Sequence, residues 1–109
     1  NVFQNKLFIK KRNKMITEVT TITIKENKNS EFEKSFKKVG LVLAKAEGYV
    51  SYELQKCIEN KNQYLVLIKW ETLENHTIKF YQSSLFAELS SLIGSFFEES
   101  PYVHHYKLV

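Results

Sequence analysis

Residues 63–70 read QYLVLIKW, and this stretch decides the fold. Alternation puts Tyr64, Val66, Ile68 and Trp70 on one side of an extended chain and Leu65 and Leu67 on the other, so the segment is a strand with two apolar faces. At 109 residues the chain holds one modest core and is too short for two of ordinary size. A sheet of that size with helices on one face normally shows water a polar side. The simplest resolution is a second subunit on the other face; the competing one is an edge of the chain folded over it.

Working outward, Asn60-Lys61-Asn62 is a hairpin connection to an earlier strand, Tyr49 to Glu59 (YVSYELQKCIE), which alternates with Val50, Tyr52, Leu54 and Ile58 on one side. Before it, Ile16 to Lys25 (ITEVTTITIK) is dense in β-branched residues, with Ile16, Ile22 and Ile24 in one phase. Between these strands, Asn27-Lys28-Asn29 makes a turn, and Ser30 with Glu33 matches the S-x-x-E capping box. Phe32, Phe36, Val39, Leu43 and Ala46 then keep to one helical stripe, and Gly48 is placed to end the helix as a left-handed cap.

After Trp70, Thr72 is positioned to cap a short helical segment with Leu73, His76, Thr77 and Phe80 on one face. Tyr81 to Ser84 interrupts the pattern, and Ser84 is placed to cap a further helix carrying Leu85, Leu89, Leu92 and Phe96, weakened at Gly94. Pro101 disfavours helix at Ser100, and Tyr102 to Val109 (YVHHYKLV) reads as a last strand. The order is βαββαβ, an α+β, ferredoxin-like arrangement with an antiparallel sheet.

The formal charge is +4. Lys6, Lys10, Lys11, Arg12 and Lys14 supply +5 with no acid among residues 1–14, while residues 15–109 carry 11 basic and 12 acidic side chains. The body is therefore close to neutral, and charge does not indicate a nucleic-acid face. Met15 directly precedes the first patterned strand, so residues 1–14 read as a basic extension outside the fold and 15–109 as the domain. No apolar run approaches the roughly 18–20 residues that cross a bilayer, so no membrane role is expected. Cys57 is the only cysteine, which gives no sign of an oxidising compartment and makes the cytoplasm the expected location. Every acidic residue is Glu and the only arginine is Arg12, which excludes Asp-dependent triads and an arginine clamp on the domain.

Trp70-Glu71-Thr72-Leu73-Glu74-Asn75-His76, Phe80, Gln82-Ser83, Leu85-Phe86, the Leu92 to Phe97 stretch and Val103-His104-His105-Tyr106 resemble small stand-alone members of the antibiotic-biosynthesis-monooxygenase family. In that family a strand ending in Trp feeds an acidic helix, a Ser-containing turn and a helix leading to the last strand. The resemblance implies a homodimer whose sheets pack together as a dimeric α+β barrel, with a pocket between sheet and helices in each subunit. It implies a cofactor-independent monooxygenase acting on a small aromatic or quinol-like substrate, or else a non-catalytic dimeric module binding a hydrophobic ligand. No cofactor and no metal are expected.

The haem-degrading branch needs an Asn on the first strand, a Trp before the Ser of the turn and a ligating His. Here the strand has no Asn, and Phe80 and Ser90 stand at the other two positions, so haem degradation is not expected.

Trp70, Phe80 and Tyr52 are the candidate walls of the pocket and His76 the candidate proton handler, because a neutral imidazole can act as general base near neutral pH. The competing readings are a hydrogen-bonded core histidine and a core tryptophan. His104 and His105 are adjacent on a strand, point to opposite faces and cannot chelate one metal together. Cys57 lies in the polar phase of its strand and is not expected to be a nucleophile.

Overall fold

The computed structural model describes residues 14–109. The basic extension, apart from Lys14, lies outside the described residues. The elements are β1 (Ile16–Thr23), α1 (Asn29–Leu43), β2 (Tyr49–Lys56), β3 (Gln63–Trp70), a π-helix (Asn75–Phe80), α2 (Ser84–Ile93), a 3-10 turn (Gly94–Phe96) and β4 (Tyr102–Lys107). The strands form one antiparallel sheet in the order β2-β3-β1-β4. This is the ferredoxin-like α+β arrangement read from the sequence. Among the described residues no helix is long and apolar enough to cross a membrane.

Register explains where the core sits. β1 and β3 pair with Ile22 opposite Tyr64, Thr20 opposite Val66 and Glu18 opposite Ile68, so the even-numbered residues of both strands share one face. On that face Ile22, Tyr64, Val66, Ile68 and Trp70 are buried against Phe32, Phe36, Val39 and Leu43 of α1 and Ile93 of α2. On the other face Val19, Leu65 and Leu67 are only half-buried.

Several local expectations are corrected by packing. The capping box at Ser30 is not made, because α1 begins at Asn29 and has no side-chain cap bond. Its carboxylate is used elsewhere: Tyr64 Oη donates to Glu33 Oε2 at 2.5 Å, and Asn29 Nδ2 donates to Lys61 O at 2.6 Å and to Tyr64 Oη at 2.9 Å. The helix start is thus tied to the β2–β3 hairpin. Burial, reinforced by Glu33, pushes the Tyr64 phenol up to about 12.

Gly48 does not cap α1, which stops at Leu43. Lys45 and Ala46 donate to Val42 O and Leu43 O in tighter turns at 3.1 and 2.9 Å. Gly48 instead takes φ +79° at the entry to β2, where its carbonyl accepts from Glu71 N–H at 2.7 Å. In β2 the register shifts between Tyr49 and Ser51, which throws Val50 out of the predicted phase, 44% exposed, and lets Tyr49 and Tyr52 both pack on the core. Ile58 lies beyond the strand and is 93% exposed. β1 ends at Thr23, with Ile24 making a single bridge to Phe97. Ser84 is the first residue of α2 rather than its cap; Ser83 precedes the helix and donates its hydroxyl to Phe80 O at 2.7 Å.

Thr72 does cap. Asn75 N–H donates to Thr72 Oγ1 at 3.2 Å and Thr72 N–H donates to Asn75 Oδ1 at 3.0 Å, a reciprocal box that starts the helical turn. Gly48 supports that box, since a Cβ there would stand 2.2 Å from Asn75 Cγ. Gly48→Ala is expected to cost at least about 1–2 kcal/mol from the left-handed backbone alone. It should cost more because Asn75 must move. Urea unfolding measures it, and a loss below half a kilocalorie would show that the turn relaxes freely.

Candidate active site

A cavity of about 250 Å³ lies between the sheet and α2. Phe36 and Val39 of α1, Val66 and Ile68 of β3, and Leu89 and Ile93 of α2 make it apolar. Tyr81 and Phe86, 39% and 38% exposed, mark where it reaches the surface. Against this wall stand the side chains of Glu18, Thr20 and His76.

Each is placed by its element. Glu18 and Thr20 occupy the buried phase of β1, two residues apart. His76 sits on the six-residue π-helix, closed by a bond from Tyr81 N–H to His76 O at 3.3 Å. Such wide turns are rare and recur at functional sites. Here it brings the Tyr81 ring to 4.5 Å from His76 while Phe80 still reaches the core.

The polar groups form one connected chain. Glu18 Oε1 accepts from Trp70 Nε1–H at 3.0 Å and lies 3.2 Å from His76 Nε2. Glu18 Oε2 accepts from Thr20 Oγ1 at 2.5 Å. His76 Nδ1 lies 2.8 Å from His105 Nε2. The Trp70 and His76 rings stack at 5.2 Å and 16°, so both present a ring nitrogen to the same carboxylate oxygen. His105 arrives because β4 pairs with β1 in the register that sets it opposite Glu18, while His104 faces away, as alternation requires.

Burial dominates the electrostatics. It pushes Glu18 above the usual carboxylate range, with the Thr20 and Trp70 donors restraining the rise. It pulls His76, 2% exposed, down to about 4, with His105 repelling its charge as a smaller cause. His105 is lowered by burial and then by His104. The close Glu18–His76 contact is therefore best read as a hydrogen bond to a neutral imidazole, because desolvation outweighs the attraction that would charge the ring.

The structure brings His76 and Phe80 to the cavity. Trp70 is fully buried behind it, touching Glu18 rather than lining the space. Tyr52 is not brought there: it packs on Phe36 and borders a separate groove with Glu33, Lys37 and Tyr64. Leu73, expected on the face of His76, is 40% exposed. Glu18, Thr20, Tyr81 and His105 were not singled out from the sequence. Glu18 had a legible signal, an acid in the same phase as Ile16, Ile22 and Ile24. Among the described residues no three ligating side chains gather as a metal cage; Glu18, His76 and His105 lie in line, with His76 between the other two.

The family model for antibiotic biosynthesis monooxygenases matches residues 15–89. YczJ of Bacillus subtilis (strain 168), an uncharacterized protein, is 37% identical over 93 residues, which are 85% of this chain and 98% of that one. Among solved structures, a candidate antibiotic biosynthesis monooxygenase of Bordetella bronchiseptica is 33% identical with a TM-score of 0.85, over 87% of this chain and 97% of the other. SnoaB, a cofactor-independent oxygenase from Streptomyces nogalater, is 18% identical with a TM-score of 0.67 over 88% and 92% of the two chains, a likeness of fold. The chain belongs to the antibiotic biosynthesis monooxygenase family.

Proposed function

We propose that the protein is a cofactor-independent monooxygenase that holds a small aromatic or quinol-like substrate in the cavity between its sheet and α2. The observation that carries this reading is a mostly apolar cavity of about 250 Å³ lined by the hydrogen-bonded Glu18–His76 pair. SnoaB, of the same fold, supports the reaction class.

The chemistry asks little else of the protein. A ring methylene made acidic by neighbouring carbonyl or hydroxyl groups loses a proton to the pair, and the resulting anion gives an electron to dioxygen. A carbon–oxygen bond forms, the methylene becomes a carbonyl, and the second oxygen atom leaves as water with the two hydrogens of the methylene. Dioxygen is the oxidant and the substrate the reductant. The dry wall keeps the anion from solvent while His76 and the groups around it handle the proton.

An oxygen electrode tests this with a panel of quinols and of fused-ring ketones that carry a ring methylene, each rate read above its enzyme-free autoxidation. Uptake is expected with at least one member, and His76→Ala should lower that rate by about 100-fold or more. Ligand binding without uptake across the panel would leave a non-catalytic binding module instead.

The same reading includes a homodimer. Val19, Leu65 and Leu67 give the sheet face away from the helices an apolar centre. A second copy placed there would complete a dimeric α+β barrel. Light scattering is expected to give twice the chain mass at micromolar concentration, and Leu67→Arg to give the monomer. A monomeric wild type would sink the dimer.

A further inference from the structure

His76 is the obvious base of this site, yet its hydrogen bonds leave it no free nitrogen. A neutral imidazole has one N–H and one lone pair. Nε2 faces Glu18 Oε1 at 3.2 Å and Nδ1 faces His105 Nε2 at 2.8 Å. Two proton arrangements satisfy this line. In one, His105 Nε2–H donates to His76 Nδ1, and His76 Nε2–H donates to an ionised Glu18. In the other every donor is reversed, and Glu18 is a neutral acid donating to His76.

The surroundings of Glu18 choose between them. The Trp70 indole N–H can only donate, and it is aimed at the same Oε1 that faces His76. Thr20 donates to the other oxygen. With His76 as the third donor, a carboxylate accepts all three bonds as charge-assisted ones, whereas a neutral acid would receive the Trp70 bond on a hydroxyl oxygen, a weaker acceptor. A carboxylate offers about four lone-pair sites, so Oε2, which has one donor, keeps a place for a further proton.

We propose that Glu18 is the base of the cavity, and that His105 is the positioning residue that makes it one by holding His76 in the tautomer that donates to Glu18. Glu18 Oε2 takes the substrate proton: the O–H bond forms as the C–H bond breaks, the electron pair stays on the ring, and the proton leaves with the reduced oxygen as water. Burial raises the carboxyl above its ordinary value, which makes it a stronger base, while the Thr20 and Trp70 donors restrain the rise. The titratable groups around the line are Glu18 on β1, His76 and Tyr81 at the π-helix, and His104 beside His105 on β4.

The reaction served by Glu18 rests on the oxygenase reading, but the proton arrangement is measurable without substrate. In protein labelled with ¹⁵N-histidine near neutral pH, correlation of ring nitrogens with ring C–H protons is expected to show His76 neutral with its proton on Nε2. His105→Gln, whose amide can still donate to Nδ1, should keep that tautomer. His105→Leu, which cannot, should yield a mixture. The infrared difference between wild type and Glu18→Gln should contain carboxylate bands. A proton on Nδ1 of His76 in the wild type, or a neutral carboxyl C=O stretch lost in Glu18→Gln, would overturn the proposal. Should the leucine variant not fold, the wild-type, His105→Gln and Glu18→Gln spectra decide it alone.

With any ring-methylene substrate the wild type oxygenates, Glu18→Gln should lose about 100-fold or more in rate, the scale of a general base. His105→Leu should lose about 10-fold and shift the acid limb of the pH profile upward by about one unit, since a carboxylate that loses a donor holds its proton more tightly. His105→Gln should restore most of that loss; equal damage in both His105 variants would reduce the residue to packing. If no member of the panel is oxygenated, the oxygenase reading falls, while the tautomer and infrared results still decide the proton arrangement.

Discussion

Trp70→Ala is expected to lower the unfolding free energy by about 3–5 kcal/mol, a large part of the roughly 5–15 kcal/mol available to a domain. The side chain is fully buried, and its ring contacts Tyr49 edge-on at 6.3 Å, Phe80 at 5.4 Å and His76 in a stack at 5.2 Å. Alanine would remove all three contacts and the Nε1–H that donates to Glu18, leaving a cavity behind a buried carboxyl. Trp70→Phe separates these effects. It keeps a six-membered ring and loses the donor together with a smaller part of the indole volume, so it should cost less, about 1–3 kcal/mol, mainly the penalty for a less satisfied buried acceptor. Urea denaturation of both variants is the measurement. Equal losses would mean that the hydrogen bond, and not the volume of the indole, is what the fold needs from this residue.

Acid is expected to destabilise the protein between pH 6.5 and 4 through His76. The folded state holds this imidazole neutral down to about 4, whereas the unfolded chain protonates it near 6.5. A depressed value stabilises fully above the unfolded value, and that stability is lost as pH falls through the folded one. A shift of this size corresponds to at most about 3 kcal/mol, taking 1.36 kcal/mol per unit. Glu18 acts in the opposite sense: its folded value is raised, so its contribution grows as pH falls and offsets part of the loss. His105, also lowered, adds a loss of the same sign, so the slope of stability against pH should be reduced in His76→Phe and steeper in Glu18→Gln. An unchanged slope in His76→Phe would assign the acid sensitivity to other groups.

Both predictions depend on residues that the sequence reveals unequally. His76 and Phe80 follow from helical spacing after Trp70, and both reach the cavity although the turn that carries them is a π-helix. Its wider closure comes from the Tyr81–His76 bond, which has no local signature. Tyr52 shares the core phase of its strand, yet β2 is an edge strand separated from β1 by β3, so its ring meets Phe36 rather than the cavity. Glu18 was readable as an acid in an apolar phase, a position where burial demands hydrogen-bond partners. His105 was readable only as the neighbour that points away from His104.

The sequence by itself determined the element order, the phase of β1 and β3, the double apolar face of Leu65 and Leu67, and the capping role of Thr72. Each rests on periods of two or about four residues, which neighbours along the chain impose on one another. Tertiary structure alone decided that Glu33 serves Tyr64 instead of a capping box, that Gly48 supports Asn75, and that Glu18, Trp70, His76 and His105 meet. Those meetings depend on the β1–β3 and β1–β4 registers and on a helical turn laid across them, and such long-range pairing leaves no mark in the local pattern.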